Sequence, residues 1–284
     1  MPPDRSPLID APSLHGLLGA PGLIVVDCRY ELGNAGWGRD AYTAGHIPGA
    51  LFASMDEDLA SPRRPGSGRH PLPTADAFAA TLGHWGVTAS SQVVAYDQGN
   101  GACAARLWWM LRAVGHAGVQ VLDGGFAAWL AAGYSTDTAV PRPAGTTVHS
   151  REFSGVLSSD AVVTGLAAGS ISLVDARGAD RFAGRNETVD PVAGHVPGAI
   201  NHPFARNLTP SLQFLDRAQL QQRWAHVLDD PALPPVVSMC GSGITGCHNL
   251  LALELAGYRG ASLYAGSFSE WITDPARPVA TGEQ

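Results

Sequence analysis

Cys240 opens the segment Cys240-Gly-Ser-Gly-Ile-Thr-Gly246, which follows the apolar run Val236–Met239 and leads into a stretch of helical character. A cysteine at the end of a buried strand, with a short glycine-rich turn before a helix, has successive backbone N–H groups aimed at its sulfur. Gly241, Gly243 and Gly246 let the chain take the shape of such a cradle, with Ile244 inside it, and Ser242 and Thr245 add hydroxyl donors. The nucleophile in such a site is a thiolate, and one or two charge-assisted hydrogen bonds of roughly 1.5–3 kcal/mol each would hold it. A cradled thiolate can attack phosphorus, sulfur or a carbonyl, and the loop alone does not choose. Cysteine-dependent phosphatases need an arginine at the end of this loop to grip phosphate oxygens in a bidentate pair, and Gly246 stands there. Phosphoryl transfer is therefore disfavoured.

The remaining cysteines read differently. Cys247 falls inside the following helix and reads as a packed residue, as do Cys28 and Cys103. Four scattered cysteines in 284 residues make no disulfide framework, which points to a reducing, cytoplasmic compartment. The adjacent pair Cys247-His248 has no second pair at metal-ligand spacing, so no metal is expected, and no cofactor.

The elements that must position Cys240 occur twice. Leu23-Ile-Val-Val-Asp-Cys-Arg29 returns as Ser172-Leu-Val-Asp-Ala-Arg177, and Ala44-Gly-His-Ile-Pro-Gly-Ala50 returns as Ala193-Gly-His-Val-Pro-Gly-Ala199. Val93–Asp97 matches Val236–Cys240, and Leu122–Trp129 matches Leu263–Trp271 with one extra residue. Order and spacing are both kept, with offsets of 142 to 149 residues. Leu23–Asp27, Val93–Asp97 and Val119–Leu122 are short apolar runs suited to buried parallel strands, as are Leu173–Asp175, Val236–Met239 and Ser262–Tyr264. Helices are expected over Ala102–Val114, Phe126–Ala132 and about Thr245–Ala256. This alternation predicts an α/β protein of two tandem domains, each a mainly parallel sheet with helices on both faces. The first domain spans 1–138 and lacks the cysteine, a linker without apolar periodicity spans 139–150, and the second domain spans 151–284.

Composition excludes several partners. With 45% hydrophobic and 15% charged residues, the chain can build cores of its own. A formal charge of -7 repels phosphate backbones and anionic membranes, so neither nucleic acid nor membrane is an expected partner. The acidic N-terminus, with Asp4 and Asp10, does not read as an export signal, and the longest uncharged stretch, 231–253, is broken by prolines and glycines.

Taken together, the paired Gly-His-(Ile/Val)-Pro-Gly-Ala segments, Trp108-Trp-Met110, Leu122-Asp-Gly-Gly-Phe126 and Cys240-Gly-Ser-Gly-Ile-Thr245 resemble the two-domain rhodanese-like sulfurtransferases, in particular the 3-mercaptopyruvate branch. The resemblance covers nearly the whole chain. It implies a Cys240 persulfide, formed from a small anionic sulfur donor and discharged to cyanide or a thiol, a thioredoxin-like protein among the candidates. It further implies that Ser242 assists proton handling, with His46 as its relay, and that Arg181 binds the donor carboxylate. The family's second substrate arginine lies nine residues on, where this chain has Asp190; Arg185 is the nearest candidate substitute. A loop without basic residues after the cysteine fits 3-mercaptopyruvate rather than thiosulfate. A thiosulfate:cyanide sulfurtransferase and a non-catalytic persulfide carrier or interaction module are the alternatives. Asp97 stands in the first half where Cys240 stands in the second.

Overall fold

A computed structural model of the chain describes residues 6–228 and 234–283. They form two compact units. The first gathers the described residues up to Ser61 with Leu72–Ser154 and Thr209–Phe214; the second gathers Pro62–Pro71, Gly155–Leu208 and the described residues from Leu215 onward. Chain order would divide the sequence once, yet each half contributes a short segment to the other's unit. The stretch 139–150 has neither helix nor strand and stays with the first unit, where the Thr146 amide donates to Gly83 O at 2.8 Å.

The first unit runs β1 (Leu8–Ile9), α1 (Ala11–Leu17), β2 (Leu23–Asp27), α2 (Trp37–Ala44), β3 (Leu51–Phe52), α3 (Ala75–His84), β4 (Gln92–Tyr96), α4 (Ala102–Ala113), β5 (Val119–Leu122) and α5 (Gly125–Ala131). Its sheet has the order β1-β5-β4-β2-β3, and every pair is parallel. The second unit runs α6 (Ser159–Ala167), β6 (Ser172–Asp175), α7 (Ala179–Phe182), β7 (Ile200–Asn201), a 3-10 turn at Phe204–Asn207, α8 (Arg217–Leu228), β8 (Val236–Met239), α9 (Thr245–Ala256), β9 (Ser262–Leu263) and α10 (Ser267–Trp271). Its order is β7-β6-β8-β9, again all parallel. The strands and helices expected from apolar runs are present, with ends shifted by about one residue, as fraying at element ends allows.

Local chemistry explains the main elements. Asp10, Thr74 and Ser158 cap α1, α3 and α6, each side chain accepting an amide bond from the residue three positions on. β6 and β8 are buried along their length, which is why neither shows an alternation of buried and exposed positions. α4 is buried at every position but Arg112, so it shows no amphipathic stripe. The first core centres on Leu14, Val25, Ile47, Val94, Tyr96 and Trp129. Its counterpart centres on Val162, Leu173, Val196, Met239, Tyr264 and Trp271.

The same fastening recurs in both units. Asp27 and Asp175 end β2 and β6 and each takes the amide and guanidinium of the arginine two residues on, Arg29 and Arg177. Those arginines reach onward to Gly45 O at 2.7 Å and Gly194 O at 2.8 Å, which ties the Gly-His segments to the sheets. In the second sheet the chain passes from β6 to β7 on one side and to β8 on the other. The carboxyl ends of β6 and β8 therefore flank the switch point, where open parallel sheets bind ligands. Cys240 follows β8 directly.

Candidate functional site

Cys240 is buried, with 2% of its surface exposed, and its Sγ accepts from the amides of Ser242 at 3.4 Å and Gly243 at 3.1 Å. The turn is possible because Gly243 has φ of 79°; a Cβ there would also lie 2.4 Å from Ala265 O. α10 holds the loop from behind, since the amides of Phe268 and Ser269 donate to Cys240 O and Gly241 O at 3.0 and 2.9 Å. The Cys240 amide in turn donates to Ser267 Oγ at 3.1 Å, and that hydroxyl donates to Tyr264 O at 2.9 Å. Ser267 does this with φ of 55°, a strained value for a residue with a side chain, so the loop is held by a position that a relaxed chain would avoid.

Ile244 is buried, and Thr245 opens α9. At Gly246 a Cβ would lie 3.1 Å from Leu263 Cδ1 and 3.3 Å from the Met239 carbonyl carbon, so the place of a phosphate-gripping arginine has little room for any side chain. Cys247 is fully buried and its thiol donates to Gly243 O at 3.2 Å. Among the described residues no group of three or more His, Cys, Asp or Glu side chains is placed to hold a metal.

The Ser242 hydroxyl meets a histidine, but it is His70: Nδ1 lies 2.8 Å from Oγ, and both side chains are buried. His70 reaches this position because 62–71 packs in the second unit. His46, the histidine expected beside Ser242, has Nδ1 at 2.8 Å from Tyr42 O and Nε2 at 3.2 Å from Ala139 O, and stacks on Tyr42 with centroids 3.9 Å apart. His195 repeats the arrangement, with Nδ1 at 2.8 Å from Phe182 O and its ring 3.8 Å from that of Phe182. Each of these two histidines also exchanges backbone bonds with a distant residue in an isolated bridge, His46 with Asp137 and His195 with Ala280.

Arg181 stands over the loop. A Cβ on Gly241 would be 3.6 Å from its Nη2 and 3.7 Å from its Nη1. Two carboxylates orient it, Glu187 at Nε and Asp190 at Nη2, the latter at 2.9 Å. Burial would raise the Glu187 carboxyl, but hydrogen bonds from Arg181 and from the amides of Asp190 and Val189 hold it below its usual value. The other oxygen of Asp190 takes Arg69 Nη1 at 2.6 Å. Arg185, by contrast, is 53% exposed and pairs with Asp180 and Glu283 on the surface. Sequence reasoning missed both Arg69 and His70. The only signal for them is a basic residue and a histidine side by side in Gly66-Ser-Gly-Arg-His-Pro-Leu-Pro73, a segment with no repeat partner.

The first unit holds the same cradle with a different anion. Asp97 Oδ1 accepts from the amides of Gly99 and Gly101 at 2.9 and 3.0 Å, and Oδ2 from those of Cys103 and Ala104 at 2.9 and 3.3 Å. Full burial still pushes this carboxyl above its usual value, against the pull of those four amides. The loop geometry thus suits an anion whether or not a sulfur is present.

Comparison with known proteins gives the family. The Rhodanese-like domain family matches residues 10–132 and again 158–274. A Pseudomonas aeruginosa protein named "Probable 3-mercaptopyruvate sulfurtransferase" is 46% identical over 280 residues, covering 97% of this chain and 98% of that one. The thiosulfate sulfurtransferase of Gallus gallus is 33% identical, covering 90% of this chain and 88% of its own. A crystal structure of SseA from Escherichia coli, described under 3-mercaptopyruvate sulfotransferases, superposes with a TM-score of 0.80 at 27% identity, over 93% of this chain and all of that one. With two matched domains and full-length relatives on one side, and a cysteine in an amide cradle on the other, the chain belongs to the two-domain rhodanese-like sulfurtransferases.

Proposed function

We propose that the protein moves sulfane sulfur from 3-mercaptopyruvate to a thiol or cyanide through a persulfide on Cys240. One observation carries the reading: Cys240 Sγ sits under two loop amides, with the hydroxyl of Ser242 beside it on His70. The Cys240 thiolate attacks the donor sulfur, an S–S bond forms, and the donor's C–S bond breaks with its electron pair left on pyruvate as the enolate. A proton then converts the enolate to pyruvate. The terminal sulfur stays on Cys240 as an anion that the loop amides stabilise, until cyanide or an acceptor thiolate attacks it and Cys240 leaves as thiolate. Ser242 and His70 form the hydroxyl–imidazole pair beside the sulfur that gives and takes the proton. Arg181 binds the donor carboxylate. His46 is engaged with backbone carbonyls of its own unit and Arg185 with surface carboxylates, so neither receives a step here. The acceptor side is a small thiol, cyanide or a thioredoxin-like protein of the cytoplasm. No helix among the described residues is long and apolar enough to cross a membrane.

Intact and peptide mass of the reduced protein after exposure to each donor tests this. One added sulfur on Cys240 with release of pyruvate is the expected result, and full transfer by Cys240→Ser would overturn it. Thiosulfate is the second reading as donor, favoured by Asp190 where the resemblance places an arginine; loading by thiosulfate alone, with sulfite released, would select it. A Cys240 that takes up sulfur but turns over no donor would make the protein a carrier.

A further inference from the structure

Arg63 and Arg64 are the only adjacent basic residues in a chain of net charge -7, and both are exposed. They stand on a turn that is fixed within the second unit. The Ser67 amide donates to Arg64 O at 2.9 Å, and the Arg64 amide donates to Ser67 Oγ at 2.9 Å. Further along, the Arg69 amide donates to Ser269 Oγ at 2.9 Å on α10, and a Cβ on Gly68 would lie 2.5 Å from Gly266 O. The turn is therefore pressed against the helix that holds the cysteine loop. Arg63 Nε donates to Arg69 O at 3.1 Å, the carbonyl of the peptide bond between Arg69 and His70. His70 meets Ser242, so the Arg63 guanidinium sits at the rim of the site and not on a remote surface. Neither Arg63 nor Arg64 pairs with a carboxylate among the described residues, and the Arg64 side chain has no hydrogen bond there. The bond at Nε leaves Arg63 Nη1 and Nη2 as an oriented fork, the geometry that takes a carboxylate end-on.

We infer that Arg63 and Arg64 form an outer anion site for the acceptor, and that the acceptor it selects is a low-molecular-weight thiol peptide whose carboxylates lie far from its sulfur. This rests on the proposed transfer to a thiol. In a donor as small as 3-mercaptopyruvate the carboxylate and the sulfur are close together, so a carboxylate at the rim would leave its sulfur short of Cys240. A peptide thiol is long enough to place one at each end. Cys240 has 2% of its surface exposed, which favours a slender thiol over one carried on the face of a folded protein. With its carboxylates on Arg63 and Arg64, the acceptor thiolate attacks the outer sulfur of the persulfide. A new S–S bond forms, the bond to Cys240 Sγ breaks with its electron pair left on Sγ, and the acceptor departs as the persulfide. The two guanidinium groups also favour the thiolate over the thiol at the rim and raise the local concentration of the anionic acceptor.

The test separates discharge from loading. Cys240 of the full-length protein is loaded with sulfur and freed of donor, and loss of that sulfur is followed by peptide mass. Glutathione, with carboxylates remote from its thiol, is compared with 2-mercaptoethanol, which has none. The double variant Arg63→Gln with Arg64→Gln is expected to lower the ratio of the two rates about tenfold, and salt to lower the wild-type ratio. An unchanged ratio would overturn the site, and so would an equal loss with both thiols, which marks a disturbed turn. Arg64→Gln alone removes a side chain that holds nothing in place, and is expected to lower the ratio about threefold. No fall in that variant would overturn the part given to Arg64. A loss seen with thioredoxin but not with glutathione would overturn the class of acceptor and assign the turn to a protein. S-methylglutathione, which has the carboxylates but no free thiol, extends the test to unloaded protein. It is expected to slow alkylation of Cys240 by iodoacetamide in the wild type and not in the double variant. If Cys240 takes up no sulfur, the proposed function fails while this protection still decides the outer site. Equal protection in both proteins, or none in the wild type, would overturn it.

Discussion

Ser242 makes two contacts at the site, its amide donating to Cys240 Sγ and its hydroxyl meeting His70 Nδ1. The two functions separate by mutation. Ser242→Ala keeps the amide and loses the hydroxyl, and His70→Asn leaves a hydroxyl without its imidazole. Each is expected to lower kcat for donor turnover about 100-fold, the usual range for a positioned proton-transfer group. The double variant should be no worse than either single one, because the proposed function has both act on one proton; additive losses would show that they act independently. At this scale the sequence was informative about Cys240 and its loop, since a cysteine, three glycines and a hydroxyl at the end of an apolar run are a local pattern. His70 was not legible. It is brought to Ser242 by a segment with no periodicity and no duplicate; the resemblance directed attention to His46, whose recurrence as His195 fits a fastening role, and the bonds of the two match.

Among the elements, the β8–α9 turn depends on one backbone conformation. Gly243→Ala would place a methyl group 2.4 Å from Ala265 O in a left-handed conformation. The expected outcome is a loss of about 1–3 kcal/mol in unfolding free energy by denaturant titration and an impaired cradle. A methyl tolerated at no cost would mean that the turn can reshape itself.

A second element-scale feature joins β7, the 3-10 turn, α8 and α9. His202 stacks on Trp224 with centroids 3.8 Å apart, and its Nε2–H donates to Asn207 Oδ1 at 3.0 Å. Asn207 and Asn249 extend the network, with Asn207 Nδ2 donating to Asn249 Oδ1 and Asn249 Nδ2 to His202 O. Burial, only partly opposed by the Asn207 bond and reinforced by Arg206, lowers the His202 pKa to about 3. Its buried Nδ1 has no partner among the described residues, so a second ring proton would be left without an acceptor. Because the folded value lies below the unfolded value near 6.5, this contribution is complete above about pH 6.5 and is lost as pH falls toward 3. Unfolding free energy should therefore decline over that window, and decline less steeply in His202→Gln. Parallel curves for the two proteins would remove His202 from the explanation. None of this network was legible in the sequence, where His202, Asn207 and Asn249 share no spacing.

For the whole molecule, the repeat made two α/β units legible, because apolar strands and Asp-X-Arg fastenings recur in order. The exchange of 62–71 and 209–214 was not, since it depends on packing between segments distant in sequence. The chain contains no lysine, so all 18 of its basic residues are arginines, whose charge persists across the accessible pH range. A fragment of residues 151–284 keeps Cys240 but lacks His70 and Arg69, which belong to the second unit in the full chain. Its rate of donor turnover is expected to be at least about 100-fold below that of the full chain. Wild-type turnover by this fragment would mean that 62–71 contributes nothing to the chemistry.

The displaced segment also bears on how a duplicated protein comes to keep both copies. Once Asp97 stands where a sulfur carrier would be, a spare half would be free to decay, yet this half still supplies Arg69 and His70 to its sibling. The debt runs in the other direction too, through the Phe214 amide on Asp123 at 2.9 Å. Neither copy can be deleted, shuffled into another gene or evolved in isolation without removing a part of the other, so the pair is inherited as one unit.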